Sequence, residues 1–153
     1  MRRLETTVPP PIWAALLAAF VFGATRLGSP WTIGGWGRPV GLGLGVLGVA
    51  IAAAGVASFA RARTTVDPHD PSKTSALVDT GVYRVTRNPM YLGLALVLGG
   101  WGLVLRDPVA GLVGVGVFVV VLTHLQIMPE ERILRERFGP AYDAFCERTR
   151  RWI

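Results

Sequence analysis

The chain has 153 residues, 51% hydrophobic and only 17% charged, yet its formal net charge is +6 and its mean hydropathy +0.43. So basic a charge on so apolar a chain excludes disorder and disfavours a soluble nucleic-acid binder; it points to an integral membrane protein with its arginines at one membrane surface. Cys146 is the only cysteine, which excludes an intrachain disulfide and a cysteine-based zinc cage.

Four apolar stretches follow in chain order. The first covers about 10–27, with its most apolar part from Ile12 to Ala24. Arg2 and Arg3 precede it as in a secretory signal, but no small-x-small cleavage site follows, so a first span is the better reading. The second, Val40 to Ala60, and the fourth, Pro108 to Met128, each hold 21 residues without a charge. Both meet the roughly 20 residues that a ~30 Å hydrocarbon core demands. The third, 89–105, is shorter and needs flanking residues or a thinned bilayer to cross. Asn88-Pro89 and Asp107-Pro108 each offer a capping side chain followed by proline at the first helical position. Arg106-Asp107 is therefore a tight turn that makes the third and fourth spans an antiparallel hairpin. Gly41-x-x-x-Gly45 has the spacing of a close helix contact.

The basic residues sort by loop. Thirteen of the sixteen lie in the N-terminus, the 61–88 loop and the 129–153 tail, against Arg26, Arg38 and Arg106 on the other side. The positive-inside rule then puts both termini and the long loop in the cytoplasm, in a bacterial-type inner (plasma) membrane. Most of these arginines serve topology and lipid headgroups. The tail starts a new helix at Pro129-Glu130-Glu131, is broken at Gly139-Pro140, and continues with Tyr142, Phe145, Thr149 and Trp152 on one stripe. That stripe suits a helix on the membrane surface or docked on the bundle. The expected fold is all-α: one membrane domain over 1–153, with about four transmembrane helices and an amphipathic helical tail.

The spans hold no Asp, Glu, Lys or Arg, which disfavours an ion-coupled transporter. His124 is the one titratable group at depth and reads first as a helix-packing residue. His69, His124 and Cys146 lack ligand spacing, so no metal is expected. The glycine runs lie in apolar helices, not after a strand, and do not form a dinucleotide loop.

A polar set remains at the mouth of the third and fourth spans: Tyr83, Arg87, Asn88 and Tyr91 from one side, Glu130 and Glu131 from the other. Such a set suits a zwitterionic, ring-bearing cofactor, with carboxylates for an ammonium, Arg87 for a carboxylate and tyrosines for a ring or sulfonium. It equally suits Arg87 and Glu130 pairing to cap helix ends.

The ordered pattern Gly81-x-Tyr83-x-x-x-Arg87-Asn88-Pro89-x-Tyr91, an apolar hairpin, Glu130-Glu131, then Phe138-Gly139-x-x-Tyr142 resembles the isoprenylcysteine carboxyl methyltransferase and phospholipid methyltransferase superfamily. The resemblance covers about Leu77 to Trp152. It implies an integral membrane methyltransferase that uses S-adenosyl-L-methionine on a lipophilic or membrane-partitioning small acceptor. By position, Ser75, Ala76, Leu77, Val78, Tyr83, Asn88, Pro89, Met90 and Tyr91 would line the cofactor pocket, and Glu130 would hold its amino group. Two positions depart from the pattern. Asn88 stands where the family often has histidine. Gln126 stands where isoprenylcysteine enzymes carry an arginine linked to the substrate, so a carboxylate acceptor loses its charge partner. Gln126 and His124 are the candidate substrate-binding residues, and Glu131 and His69 the candidate general bases. The alternatives are a phospholipid N-methyltransferase and a non-enzymatic membrane scaffold or lipid-binding protein.

Overall fold

The computed structural model describes residues 8–28, 31–62 and 76–153. Among these the chain is all-helical. Four apolar helices run up and down: α1 (Pro10–Arg26), α2 (Gly37–Arg61), α3 (Pro89–Val104) and α4 (Pro108–Leu122). A π turn (Thr123–Ile127) leads from α4 into α5 (Met128–Phe138), and α6 (Pro140–Arg148) ends the helical part. A short 3-10 turn (Gly81–Arg84) precedes α3. By length and apolar composition, α2 and the continuous α4–α5 helix are long enough to cross a membrane; α1 and α3 are shorter.

The sequence explains most of these ends. Prolines at the first positions of α1, α3 and α4 need no N–H partner there and are set at a helical φ. At α4 the expected cap is made: Asp107 Oδ1 accepts from the Ala110 N–H at 3.0 Å. At α3 it is not. Asn88 makes no side-chain cap; its amide instead donates to the Arg151 carbonyl at 2.9 Å. The Arg106-Asp107 turn closes the α3–α4 hairpin with Arg106 in the left-handed region (φ 66). It is tied to the α1–α2 connection by two reciprocal bonds, the backbone Ile33 N–H to Arg106 O at 2.9 Å and the Arg106 side-chain Nε to Ile33 O at 2.9 Å.

α3 is central, packed on α2 along its length and flanked by α4 and α1. In lipid the apolar effect does not pull helices together, so close approach and dispersion must. Glycines supply that approach. A Cβ on Gly41 would stand 2.5 Å from the Gly100 carbonyl, and one on Gly48 2.5 Å from the Gly93 carbonyl. Gly41 and Gly45 both lie at this crossing, since a Cβ on Gly100 would stand 2.5 Å from Gly41 O and 3.1 Å from Gly45 N, and the contact recurs at Gly48; a Cβ on Gly45 itself would meet nothing within 4 Å. Val21, Tyr91, Ala95, Leu98, Phe118, Leu122 and Ile127 form the buried core between α1, α3 and α4. Leu112 and Val120 point outward, as lipid-facing residues do.

Pro129 does not begin a helix. It sits within the continuous Pro108–Phe138 helix, one residue past the π turn. Its missing N–H would leave the Leu125 carbonyl without its α-helical partner, and its ring would press on that carbonyl. The widened ladder relieves this, with the Met128 N–H reaching back five residues to Thr123 O. The tail beyond docks on the bundle. Tyr142 and Phe145 pack with Val78 and Tyr83 in a second buried cluster.

Candidate active site

The site is built where the strand-like approach to α3, the π turn and the tail meet. Coming from the loop, Val78 and Tyr83 are buried, and Tyr83 stands edge-on to Phe59 with ring centroids 5.5 Å apart. Thr86 is buried next; its hydroxyl accepts from the Asn88 N–H at 3.1 Å and donates to Arg151 O at 3.3 Å. The Arg87 N–H donates to Arg150 O at 3.0 Å. The end of the chain is thus pinned along the approach to α3.

The Arg87 guanidinium is engaged by protein. Nη1 donates to the Cys146 and Thr149 carbonyls at 3.1 and 2.9 Å, satisfying acceptors that the end of α6 leaves open. Nη2 bonds Glu131 Oε1 at 2.9 Å. Glu131 also takes a two-pronged contact from Arg151, Nε to Oε1 at 2.9 Å and Nη2 to Oε2 at 2.6 Å. Burial pushes the Glu131 carboxyl up, but the hydrogen bonds from Arg151 and Arg87 outweigh it and hold the group below its usual value. Trp152 closes the arrangement, its indole N–H donating to Thr123 Oγ1 in the π turn at 3.2 Å.

Glu130, one residue earlier, points about 100° away around the helix and meets a different environment. The Tyr91 hydroxyl donates to its Oε1 at 2.6 Å, linking α5 to α3. Glu130 lies beyond the apolar span, and burial pushes its carboxyl up to about 7 against the opposing effect of that hydrogen bond. Tyr83 faces the same carboxyl, and burial together with the Glu130 charge raises its phenol. Gln126, in the π turn, is 2% exposed and its amide faces Tyr91 and Glu130.

A second feature lies deeper. Between α1, α2 and α3 is a cavity of about 620 Å³ lined by Ala14, Ala18, Gly45, Leu94, Leu98 and Trp101, among other apolar residues. The Trp101 N–H is satisfied by Ala18 O at 3.1 Å, so the wall offers no free donor there. Leu94, at one end, is a single helical turn from Tyr91.

Comparison with known proteins decides the family. The phospholipid methyltransferase family model matches residues 36–141, from the start of α2 into α6. The chain belongs to the phospholipid methyltransferase family. An uncharacterized protein of Haemophilus influenzae is 41% identical over 64 residues, which is 42% of this chain and the whole of that protein. No solved structure matches.

Within this chain the residues expected from sequence separate into two groups. Tyr83, Tyr91, Gln126 and Glu130 converge on one buried polar cluster. Arg87 pairs with a glutamate, but with Glu131 rather than Glu130, and both belong to the clasp that holds the tail. Asn88 joins them through Arg151. Pro89 and Met90 sit at the first turn of α3, and Ala76 to Val78 lie along the approach. His124 is exposed while Gln126 beside it is buried. His69 and Ser75 lie outside the described residues. Sequence reasoning missed Arg151, which looked like one more topological charge, and Thr86 and Thr123, which carry no motif. The one available signal was Trp152, already on the buried stripe of the tail.

Proposed function

We propose that the chain is an integral membrane methyltransferase that takes S-adenosyl-L-methionine from the cytoplasm and methylates a lipophilic, membrane-partitioning small molecule. The observation that carries this reading is the Tyr91–Glu130 pair, a half-buried carboxyl at the mouth of the α3–α4 hairpin in a chain of this family. The residues present fit the cofactor. Glu130 is the group for its ammonium, and Tyr83 and Tyr91 flank the place for its ring or sulfonium. When bound, S-adenosylmethionine supplies an already activated methyl group; the protein's task is to align the acceptor lone pair with it and to keep water out.

In this reading Glu131 anchors Arg87 and Arg151 and is not the proton acceptor, because a carboxyl held low takes up a proton poorly. The apolar cavity one turn from Tyr91 supports a greasy acceptor. The excess of basic residues at the end with the loop and tail supports cytoplasmic termini.

The test is isothermal titration of detergent-purified full chain with S-adenosylmethionine. Binding is expected, and Glu130→Ala should weaken it far more than Glu136→Ala, whose side chain is exposed. A folded protein that binds no S-adenosylmethionine would overturn the proposal.

A further inference from the structure

The segment after α6 holds the candidate site from outside it. α6 ends at Arg148, and Thr149 is extended (φ -131, ψ 128). Two neighbouring side chains of this segment then reach the long helix at different heights. Arg151 grips Glu131, and Trp152 grips Thr123, the first residue of the π turn. Glu130 lies between the two grips. The segment is itself fixed to the approach of α3, because Arg151 O accepts from Thr86 Oγ1 and from Asn88 Nδ2, just ahead of Tyr91. It therefore splints the start of α3 to the stretch that carries Glu130.

Pro129 accounts for the widened ladder, but not for where the turn sits against α3. Trp152 supplies that. Its ring packs on the core cluster that contains Tyr91, Leu122 and Ile127. Its indole N–H, which a tryptophan in such a place must satisfy, is spent on the Thr123 hydroxyl at 3.2 Å. The apolar body holds the ring in place, and one directional bond fixes the turn beneath it. α5 continues from the turn without a break, so what holds Thr123 also holds Glu130.

We infer that Trp152 is a positioning residue: through the Thr123 hydroxyl it holds the π turn, and with it Glu130, against Tyr91. It acts through Thr123 rather than on cofactor or acceptor. This rests on the methyltransferase reading above and adds to the same site a residue from the tail.

The chain has three tyrosines, so full chain labelled at the tyrosine ζ carbon gives three ring signals, assigned with Tyr83→Phe, Tyr91→Phe and Tyr142→Phe. The ζ carbon bears the hydroxyl, so the Tyr91 signal reports the bond to Glu130 with no cofactor present. Trp152→Phe keeps an apolar ring and removes the donor. It should shift the Tyr91 signal and weaken S-adenosylmethionine binding by about fivefold, the worth of one hydrogen bond. Thr123→Val should do the same, and Thr123→Ser should restore both readouts. Trp152→Phe combined with Thr123→Val should cost no more than either alone, since the two are ends of one contact. Trp36→Phe, an exposed indole at the start of α2, should change neither readout. An unmoved Tyr91 signal in Trp152→Phe, losses that add in the double variant, or a Thr123→Ser as weak as Thr123→Val would overturn the inference. The two readings fail separately. A folded wild type that binds no S-adenosylmethionine removes the methyltransferase reading, while the Tyr91 signal still decides whether Trp152 places the pair.

Discussion

The Tyr91 hydroxyl donates to Glu130 Oε1 at 2.6 Å, so a residue of the first turn of α3 and one just past the π turn are joined by a short, charge-assisted bond. Burial of the pair has a pH consequence, which this bond only partly offsets. Glu130 is raised to about 7, above the usual carboxyl value, so it is mostly neutral at pH 6 and mostly ionised at pH 8. An ammonium is held by the ionised form. The affinity for S-adenosylmethionine should therefore rise about tenfold between pH 6.0 and 7.5, and Glu130→Gln should flatten that slope. Titration calorimetry across the range checks both. The stability effect has the opposite sign: folding favours the protonated carboxyl, so its contribution declines as pH rises from about 4.5 to about 7 and is constant above.

Glu131 should matter to stability more than either of its partners' free ends suggests. Glu131→Ala leaves Arg87, which is largely buried, facing Arg151 without a counter-charge. The expected loss is about 3 kcal/mol. Arg151→Ala removes the more exposed arm and should cost about 1 kcal/mol. Denaturant unfolding in a fixed detergent gives the order, and a larger loss for Arg151→Ala than for Glu131→Ala would contradict the clasp as described.

The helix-start residues Asn88 and Asp107 should respond differently to the same exchange of amide and carboxylate. Asp107→Asn keeps an acceptor for the Ala110 N–H and should be nearly neutral. Asn88→Asp removes the donor to Arg151 O and places a carboxylate oxygen against a carbonyl. Hydrogen exchange of the 149–153 segment should speed up in Asn88→Asp and stay unchanged in Asp107→Asn.

Gly41 and Gly45 separate contact from spacing. Gly41→Leu would drive side-chain atoms into the Gly100 backbone and should destabilise by about 2 kcal/mol. Gly45→Leu has room in the apolar cavity and should be tolerated. Thermal denaturation of the two variants distinguishes them, and a Gly45→Leu as damaging as Gly41→Leu would mean that α2 packs in another register.

Much of this molecule is legible in its sequence. Uninterrupted apolar runs mark the helices, and Asp107-Pro108 marks a cap because only local atoms take part. Asn88-Pro89 carries the same mark and fails, because a carbonyl 63 residues away competes for the side chain. Glu130 and Glu131 look interchangeable on paper, but adjacent positions on a helix differ by about 100°. One therefore faces Tyr91 and the other the two arginines. Arg151 was hidden among the topological charges, since nothing local distinguishes an arginine that folds back twenty residues to a carboxylate. The π turn had its cause in plain view at Pro129, yet a proline after an apolar run reads first as a boundary.

The π turn works as a phase adjuster. One surplus residue between Thr123 and Ile127 turns everything downstream by about 100° relative to everything upstream. Remove it, and α5 would present Glu130 where another side chain now lies, with Tyr91 facing a different register position. The polar end of the hairpin is thus one insertion away from an ordinary straight helix. Such a site can be gained or lost by a single codon, with the membrane-embedded half of the protein left untouched.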